Sequence, residues 1–300
     1  LNDAAIAEIP LADTLDEPTL RLVFPEAPVD LSVPRDVGSM FRARIRKLGG
    51  TKRPVLLGGI VLVIAAVIVL VFIDLLVHGA VVGALLLAAI VGVLFWQYSK
   101  AANEFFERYA VARGLQPTKG GGIGANVPLL SRGDERTFER VLSGRIAGRD
   151  ASLGHYTYTT VSRDSEGNET RSDHDFTVLG FQLPAEVAAR FAGVYLAPKS
   201  ISFGALQDKL AHDRKVELES AEFAKRYSLR VVDGQDDIAL YELFSTTFVH
   251  RLATELKVYW EQRGGDILFW HKGHETEAAD LDRFCLECWH VLHRYLEEHR

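Results

Sequence analysis

Two cysteines in 300 residues are too few for a disulfide framework, so the fold has to be held by a hydrophobic core. Positive charge is also short. There are 34 Lys and Arg against 40 Asp and Glu, a net charge of −6, which leaves no electrostatic footprint for nucleic acid. Signatures of hydrolytic chemistry are missing: there is no G-x-S-x-G elbow and no H-E-x-x-H. The longest gap is in charge itself. Between residues 54 and 98 the only charged side chain is Asp74.

That gap organises the rest. Val55 to Ile73 carries no strongly polar side chain, about the length a helix needs to cross a hydrocarbon core. Ala80 to Trp96 is a second such run, and Trp96 and Tyr98 suit the headgroup level. One continuous helix would hold Asp74 deep in apolar surroundings at a cost of several kcal/mol. Two transmembrane helices joined by a turn at Asp74, His78 and Gly79 avoid that cost. The first span starts after residue 50 and no small-residue cleavage pattern follows it, unlike a signal peptide.

Arg42, Arg44, Arg46, Lys47, Lys52 and Arg53 crowd the entry to the first span, Lys100 follows the second, and the turn holds no Lys or Arg. The positive-inside rule then puts both termini in the cytosol. The Ala, Arg, Gly and Val bias has a bacterial look, so the expected address is the bacterial inner (plasma) membrane, multi-pass. The basic cluster at residues 41–53 is a topology signal that also attracts anionic lipid.

Residues 1–40 hold half of the ten prolines and an excess of acidic groups. Such a segment buries too little to offset its ordering entropy, and it reads as a disordered tail with at most a short docking strand at Leu20 to Phe24. Residues 99–125 read as an extension of the second helix, with Phe105, Tyr109 and Val111 or Ala112 as an apolar stripe and Gly114 as its cap, followed by a flexible glycine-rich linker. Gly120, Gly121, Gly122 and Gly124 do not make a phosphate loop, because Ala125 and Asn126 stand where Lys and Ser or Thr are needed.

Residues 126–300 read as a cytosolic α+β domain of antiparallel strands and amphipathic helices. The period is that of strands in RVLSGRIAG, GHYTYTTVSR, DFTVLGFQL and RFAGVYLA, with a turn in RDSEGNET. Leu240, Phe244, Phe248, Leu252 and Leu256 recur at helical spacing, which predicts one amphipathic helix. KVYWEQ and DILFWHK flank Arg263, Gly264 and Gly265, a tight hairpin. Thr276 to His299 predicts a last helix with Leu281, Phe284, Cys285, Cys288, Trp289, Leu292 and Leu296 on its apolar face.

Candidate chemistry is sparse. Cys285-x-x-Cys288 with His290 and His293 suggests a metal or redox site, but helical geometry puts the thiols in the apolar stripe and turns His290 and His293 toward Glu287, Arg294 and Glu297 on the wetter side. One metal would need all four groups together, so buried core thiols are expected. His271 and His274 read as exposed turn residues. Asp233, Asp236 and Asp237 precede a helix, where Asp serves as cap. No catalytic residue, cofactor or metal ligand set is expected.

Glu219-Ser220-Ala221-Glu222-Phe223-Ala224-Lys225-Arg226-Tyr227, then Val231, Asp233, Ala239, Leu243 and Leu252, resembles the core pattern of the bacterial family called domain of unknown function 3137. Leu130-Ser131-Arg132-Gly133-Asp134, Ser143-Gly144, Tyr156-x-Tyr158 and Phe191-x-Gly193 are similar as well. Tyr227 stands where that family usually has Phe. The resemblance covers roughly residues 125–300 and implies a domain placed after a pair of membrane helices, with no assigned activity. Phe223 and Tyr227, one helical turn apart, should pack together.

The function expected from these features is a membrane-anchored cytosolic interaction or scaffold domain. Its partners would be the lipid bilayer and another membrane or envelope protein, with no nucleic acid. The alternative is a membrane-anchored enzyme or small-ligand sensor whose site assembles only in the fold. The domain should fold by itself from about residue 126.

Overall fold

The computed structural model describes residues 15–28, 33–50, 76–118, 121–199 and 213–297, with side chains left out at 48–50 and 76–82. The chain forms two compact units. The larger takes residues 1–31, 110–275 and 279–300, and the smaller takes 32–109 and 276–278.

The larger unit is α+β, built on a nine-stranded sheet. Its strands are β1 (Leu115–Pro117), β2 (Glu135–Ile146), β3 (Arg149–Arg163), β4 (Glu169–Gln182), β5 (Gly193–Pro198), β6 (Asp213–Val216), β7 (Tyr227–Val232), β8 (Tyr259–Arg263) and β9 (Asp266–Lys272). Their order is β1-β2-β3-β4-β9-β8-β5-β7-β6, and every pairing is antiparallel. The expected hairpins are present. β8 and β9 turn at Gly264, whose φ of 56° suits glycine. β3 and β4 turn around Asp164, whose carboxylate accepts from the Glu166 and Asn168 amides. From Thr160↔Ser172 to Arg163↔Glu169 these two strands pair only with each other, forming a mostly exposed arm beyond the sheet.

Alternation sorts the side chains onto two faces. One face carries Tyr156, Tyr158, Phe176, Val178, Leu268 and Trp270, and residues 123–129 pack on it through Ile123, Val127 and Leu129. The other carries Trp260, Phe269 and His271, covered by the C-terminal helix. Tyr295 of that helix accepts a hydrogen bond from Trp260 Nε1 at 2.9 Å, and its Phe284 ring lies 4.6 Å from His271.

Several expectations need correction. The docking segment near the N-terminus is a helix, α1 (Glu17–Val23), capped by Asp16 with Pro18 in its first turn. Leu20, Val23 and Phe24 are buried, the Val23 carbonyl accepts from the Ala147 amide at 2.7 Å, and Glu26 pairs with Arg145. Apolar burial thus outweighs the disorder suggested by the prolines. The glycine-rich segment is no free linker over residues 121–125, since Ile123 is buried in the core. Gly180 leaves room for it: a Cβ there would stand 2.5 Å from the Ile123 methyl. A chain starting at residue 126 would lose Ile123 and β1.

The helix expected from Leu240 to Leu256 is two. After α4 (Ala185–Arg190) and α5 (Ala221–Arg226) come α6 (Asp237–Leu243) and α7 (Thr246–Thr254), broken at Phe244 and Ser245, where ψ becomes positive. The break lets Phe244 stack on Trp260 at 6.0 Å, while Leu240, Phe248, Leu252 and Leu256 stay buried.

The smaller unit contains α2 (Val37–Gly50) and most of α3 (Leu76–Ala112), whose last three residues belong to the larger unit. Asp36 caps α2 through the Ser39 amide. Phe41 meets Tyr98 edge-on at 5.8 Å, and Arg44 bonds Gln97 and Glu104 of α3. From Gly83 to Ala112, α3 is long and apolar enough to cross a membrane. It runs on past Tyr98, as expected, and Gly114 follows it with φ 66°. His78 and Gly79 lie inside α3, so neither can form the expected turn. The first expected span, Val55 to Ile73, and Asp74 fall outside the described residues.

Candidate functional site

The polar groups of the larger unit concentrate around the final helix, α8 (Ala278–Glu297). Its spacing predicts one apolar and one wet face. Instead Asp282, Glu287 and His290 are buried along with Leu286, Cys285, Cys288 and Val291. The physical reason is that each of its two buried carboxylates meets a partner. Asp282 receives two hydrogen bonds from Arg113, at 2.8 and 2.7 Å, a bidentate fork that satisfies both oxygens. Glu287 accepts from the Lys257 amide at 3.2 Å and lies 3.5 Å from His271 Nε2.

His271 is therefore a strand residue facing inward rather than an exposed turn residue. Burial alone would lower its pKa. Glu275 and Glu287 outweigh that and push it up to about 9, so the ring is cationic at neutral pH. His290 behaves oppositely: burial, with Arg251 and His293 nearby, lowers it to about 3, and it stays neutral.

Cys285 and Cys288 are free thiols, both fully buried. Burial, then the neighbouring Cys285 and Glu287, raises Cys288 well above the ordinary thiol value, which suppresses the thiolate that redox or metal chemistry needs. His293 pairs with Glu297 at 3.1 Å. Among the described residues no group of three His, Cys, Asp or Glu could hold a metal ion.

A second cluster lies at β3 and the turn after β9. The rings of His155 and His274 stack at 4.3 Å, within 6° of parallel. His155 Nε2 is 3.0 Å from the Glu275 carbonyl, which makes Nε2 the protonated nitrogen and leaves Nδ1 to face Arg140 at 3.4 Å. Burial, with His274 and Arg140 adding to it, lowers His155 to about 3. Thr157 Oγ1 donates to Asp175 at 2.8 Å and lies 3.2 Å from His274 Nε2. That resembles a nucleophile, base and acid, but the hydroxyl has one proton and here gives it to the carboxylate. Thr159 and Asp173 repeat the same cross-strand bond one step along, at 2.6 Å. The pairing is a ladder of the hairpin.

Glu261 sits on the opposite face, fully buried. Burial raises its pKa against the pull of Arg132 and the Leu129 amide. That amide donates to it at 2.5 Å, and Arg132 stands at 3.4 Å. The carboxylate thus fastens the 128–132 segment onto the sheet. Tyr156 does the same by donating to the Leu129 carbonyl at 3.2 Å.

The other flagged residues have local roles. Asp236 caps α6 through the Ile238 and Ala239 amides. Phe223 and Tyr227 pack at 5.1 Å, Ser220 caps α5, and Glu219 and Glu222 are exposed. Sequence reasoning missed Asp282, Glu287 and Glu261. Leu286 and Val291, which lie off the expected stripe of α8, are the signal that it is covered on more than one side. No protein-family model, curated protein or solved structure matches the chain.

Proposed function

We propose that this chain is a bacterial inner-membrane protein of two spans with both termini cytosolic, and that its α+β unit is an interaction or scaffold module held at the membrane. The observation that carries the reading is the exposed apolar surface of α3: Leu85, Leu87, Val91, Val93 and Phe95 are each more than half exposed, up to 73 % for Phe95. A soluble protein rarely presents such a continuous patch to water, whereas lipid accepts it. The basic residues of α2 and the run from Val55 to Ile73 supply the rest of the topology, and the resemblance to domain of unknown function 3137 fits the same arrangement. The exposed β3–β4 arm is the feature of the α+β unit suited to contact another protein.

Carbonate extraction of the full chain, with reporters at residue 10 and residue 300, tests this. Retention in the membrane with both reporters cytosolic is expected. Release into the supernatant, or labelling of either end from outside the cell, would sink it. A crosslinker at Arg171 in the arm should give a discrete adduct with a second protein, and a labelled arm that never forms one would count against the interaction role.

A second reading, a small-ligand sensor, has one feature in its favour. A cavity of ≈ 350 Å³ is lined by Ser143, Asp150, Ser152, Gly180 and Gln182, within the size range of small-molecule sites. Saturable stabilisation of the purified chain by a small polar compound, lost in Ser152→Phe, would favour it.

A further inference from the structure

We infer that the cleft between α2 and the middle of α3 is a binding site for the phosphate-bearing headgroup of an anionic phospholipid. The inference rests on the membrane reading above. The cleft measures ≈ 780 Å³ and is lined by Met40, Arg44, Lys47, Trp96, Lys100 and Arg108 among others. Four cations thus face one carboxylate, Glu104, which Arg44 and Arg108 already hold at 2.9 and 2.6 Å. Lys47 and Lys100 remain as charges with no carboxylate partner among the described residues. Lys100 Nζ lies 3.6 Å over the Trp96 ring, which fixes the ammonium at the cleft wall by its attraction to the ring face.

Helix geometry sets the depth. At about 1.5 Å per residue, Lys100 stands about 6 Å beyond Trp96 and Arg108 about 18 Å beyond it. The headgroup layer on each side of a bilayer is roughly 5 to 8 Å thick. With Trp96 at the inner boundary of that layer, as an amphipathic ring prefers, Lys100 lies within it and Arg108 outside. On α2, Met40, Arg44 and Lys47 recur at spacings of four and three, so they share the face turned to the cleft. Met40 and the Trp96 ring provide apolar contact for the glycerol and first methylenes. Arg44 is oriented by Gln97, whose Oε1 accepts from its Nε at 3.0 Å. A phosphodiester bearing net charge −1 complements the two lysines, and a zwitterionic headgroup brings its own cation into the same basic cleft.

The full chain in zwitterionic detergent is titrated with short-chain phosphatidylglycerol, short-chain phosphatidylcholine and inorganic phosphate. One phosphatidylglycerol is expected to bind at least about tenfold more tightly than phosphatidylcholine. Lys47→Gln with Lys100→Gln should remove most of that preference, and Lys47→Arg with Lys100→Arg should keep it. Equal binding of the two lipids, or an unchanged preference in the glutamine variant, overturns the inference. So does full competition by inorganic phosphate, which would make the ligand a soluble phosphate compound. Carbonate extraction of the same preparations separates the two levels of failure. Release of the unmodified chain overturns the membrane reading and this site together, while retention without lipid preference overturns the site alone.

Discussion

The two longest helices described here, α3 and α8, meet opposite demands with opposite surfaces. In α3, Leu85, Leu87, Val91, Val93 and Phe95 are apolar and stand exposed. In α8 an Asp, a Glu and a His are buried among leucines and thiols. An apolar helix gains nothing by exposure to water, and α3 is long and apolar enough to cross a membrane. A buried charge is tolerated only with a partner, so α8 requires Arg113, His271 and the Lys257 amide. The two Arg–carboxylate pairs at the end of α3 show the same contrast within one turn and a half. Arg108 pairs with Glu104 at the surface, and Arg113 pairs with Asp282 with both side chains under 8 % exposed.

The largest effect should come from the buried pair. Asp282→Ala leaves the Arg113 guanidinium without its counter-charge, and a loss of about 3 to 5 kcal/mol is expected. Thermal unfolding of the full chain in detergent measures it. Removing both charges with Arg113→Met and Asp282→Leu should recover much of the loss. If the double variant is as unstable as the single one, the charge is not what matters there.

Next comes α3. Leu87→Arg places a cation near the middle of the expected span, a penalty of roughly 2.5 to 3.5 kcal/mol for insertion. The membrane-bound fraction of the full chain should fall sharply. Unchanged membrane binding would mean that Leu87 faces water or protein, and the contrast with α8 would lose its basis.

Much of this was legible in sequence where side-chain period and local chemistry decide the outcome. The Gly264 turn, the β3–β4 hairpin, the Asp236 cap and the contact of Phe223 with Tyr227 depend on neighbours within a few residues. The errors arose where a distant partner decides. Nothing near α8 announces that Arg113, 169 positions away, will neutralise Asp282, so its charges read as a wet face. The Gly120–Gly124 stretch reads as a linker because Gly180, whose missing side chain makes space for Ile123, lies far along the chain. Proline-rich composition concealed the Leu20, Val23 and Phe24 anchor for the same reason. The candidate site follows the same rule: spacing alone marks the thiols of α8 as core, while the charge of His271 depends on Glu287, 16 positions away.

The pH response should sharpen the same point. The folded pKa of His271 is raised to about 9 from an unfolded value near 6.5. Its contribution is therefore complete below about pH 6.5 and is lost as pH rises toward 9, on the order of 3 kcal/mol. His155 and His290 have folded values near 3. They must gain a proton to unfold in acid, so they destabilise the fold progressively as pH falls below about 6.5. The melting temperature of the full chain should be highest near pH 6.5 and fall on both sides. His271→Gln should flatten the alkaline limb only. An unchanged alkaline limb would show that the ring is not cationic between Glu275 and Glu287.

The smallest effect belongs to the exposed counterpart of the buried pair. Arg108 and Glu104 approach to 2.6 Å, closer than Arg113 and Asp282, yet their side chains are 58 % and 38 % exposed. Distance alone would rank this pair first. In water, though, each group already has hydration nearly as favourable as its partner, salt screens their attraction, and two long side chains must be ordered to hold it. Glu104 also keeps Arg44 when Arg108 is removed, so no charge is left stranded. Arg108→Ala should change stability by less than about 0.5 kcal/mol, with any difference shrinking further in higher salt. The identical assay used for Asp282→Ala makes the comparison direct. A loss for Arg108→Ala that rivals the buried pair would mean that solvent does not reach this part of α3, and burial would have to be sought there as well.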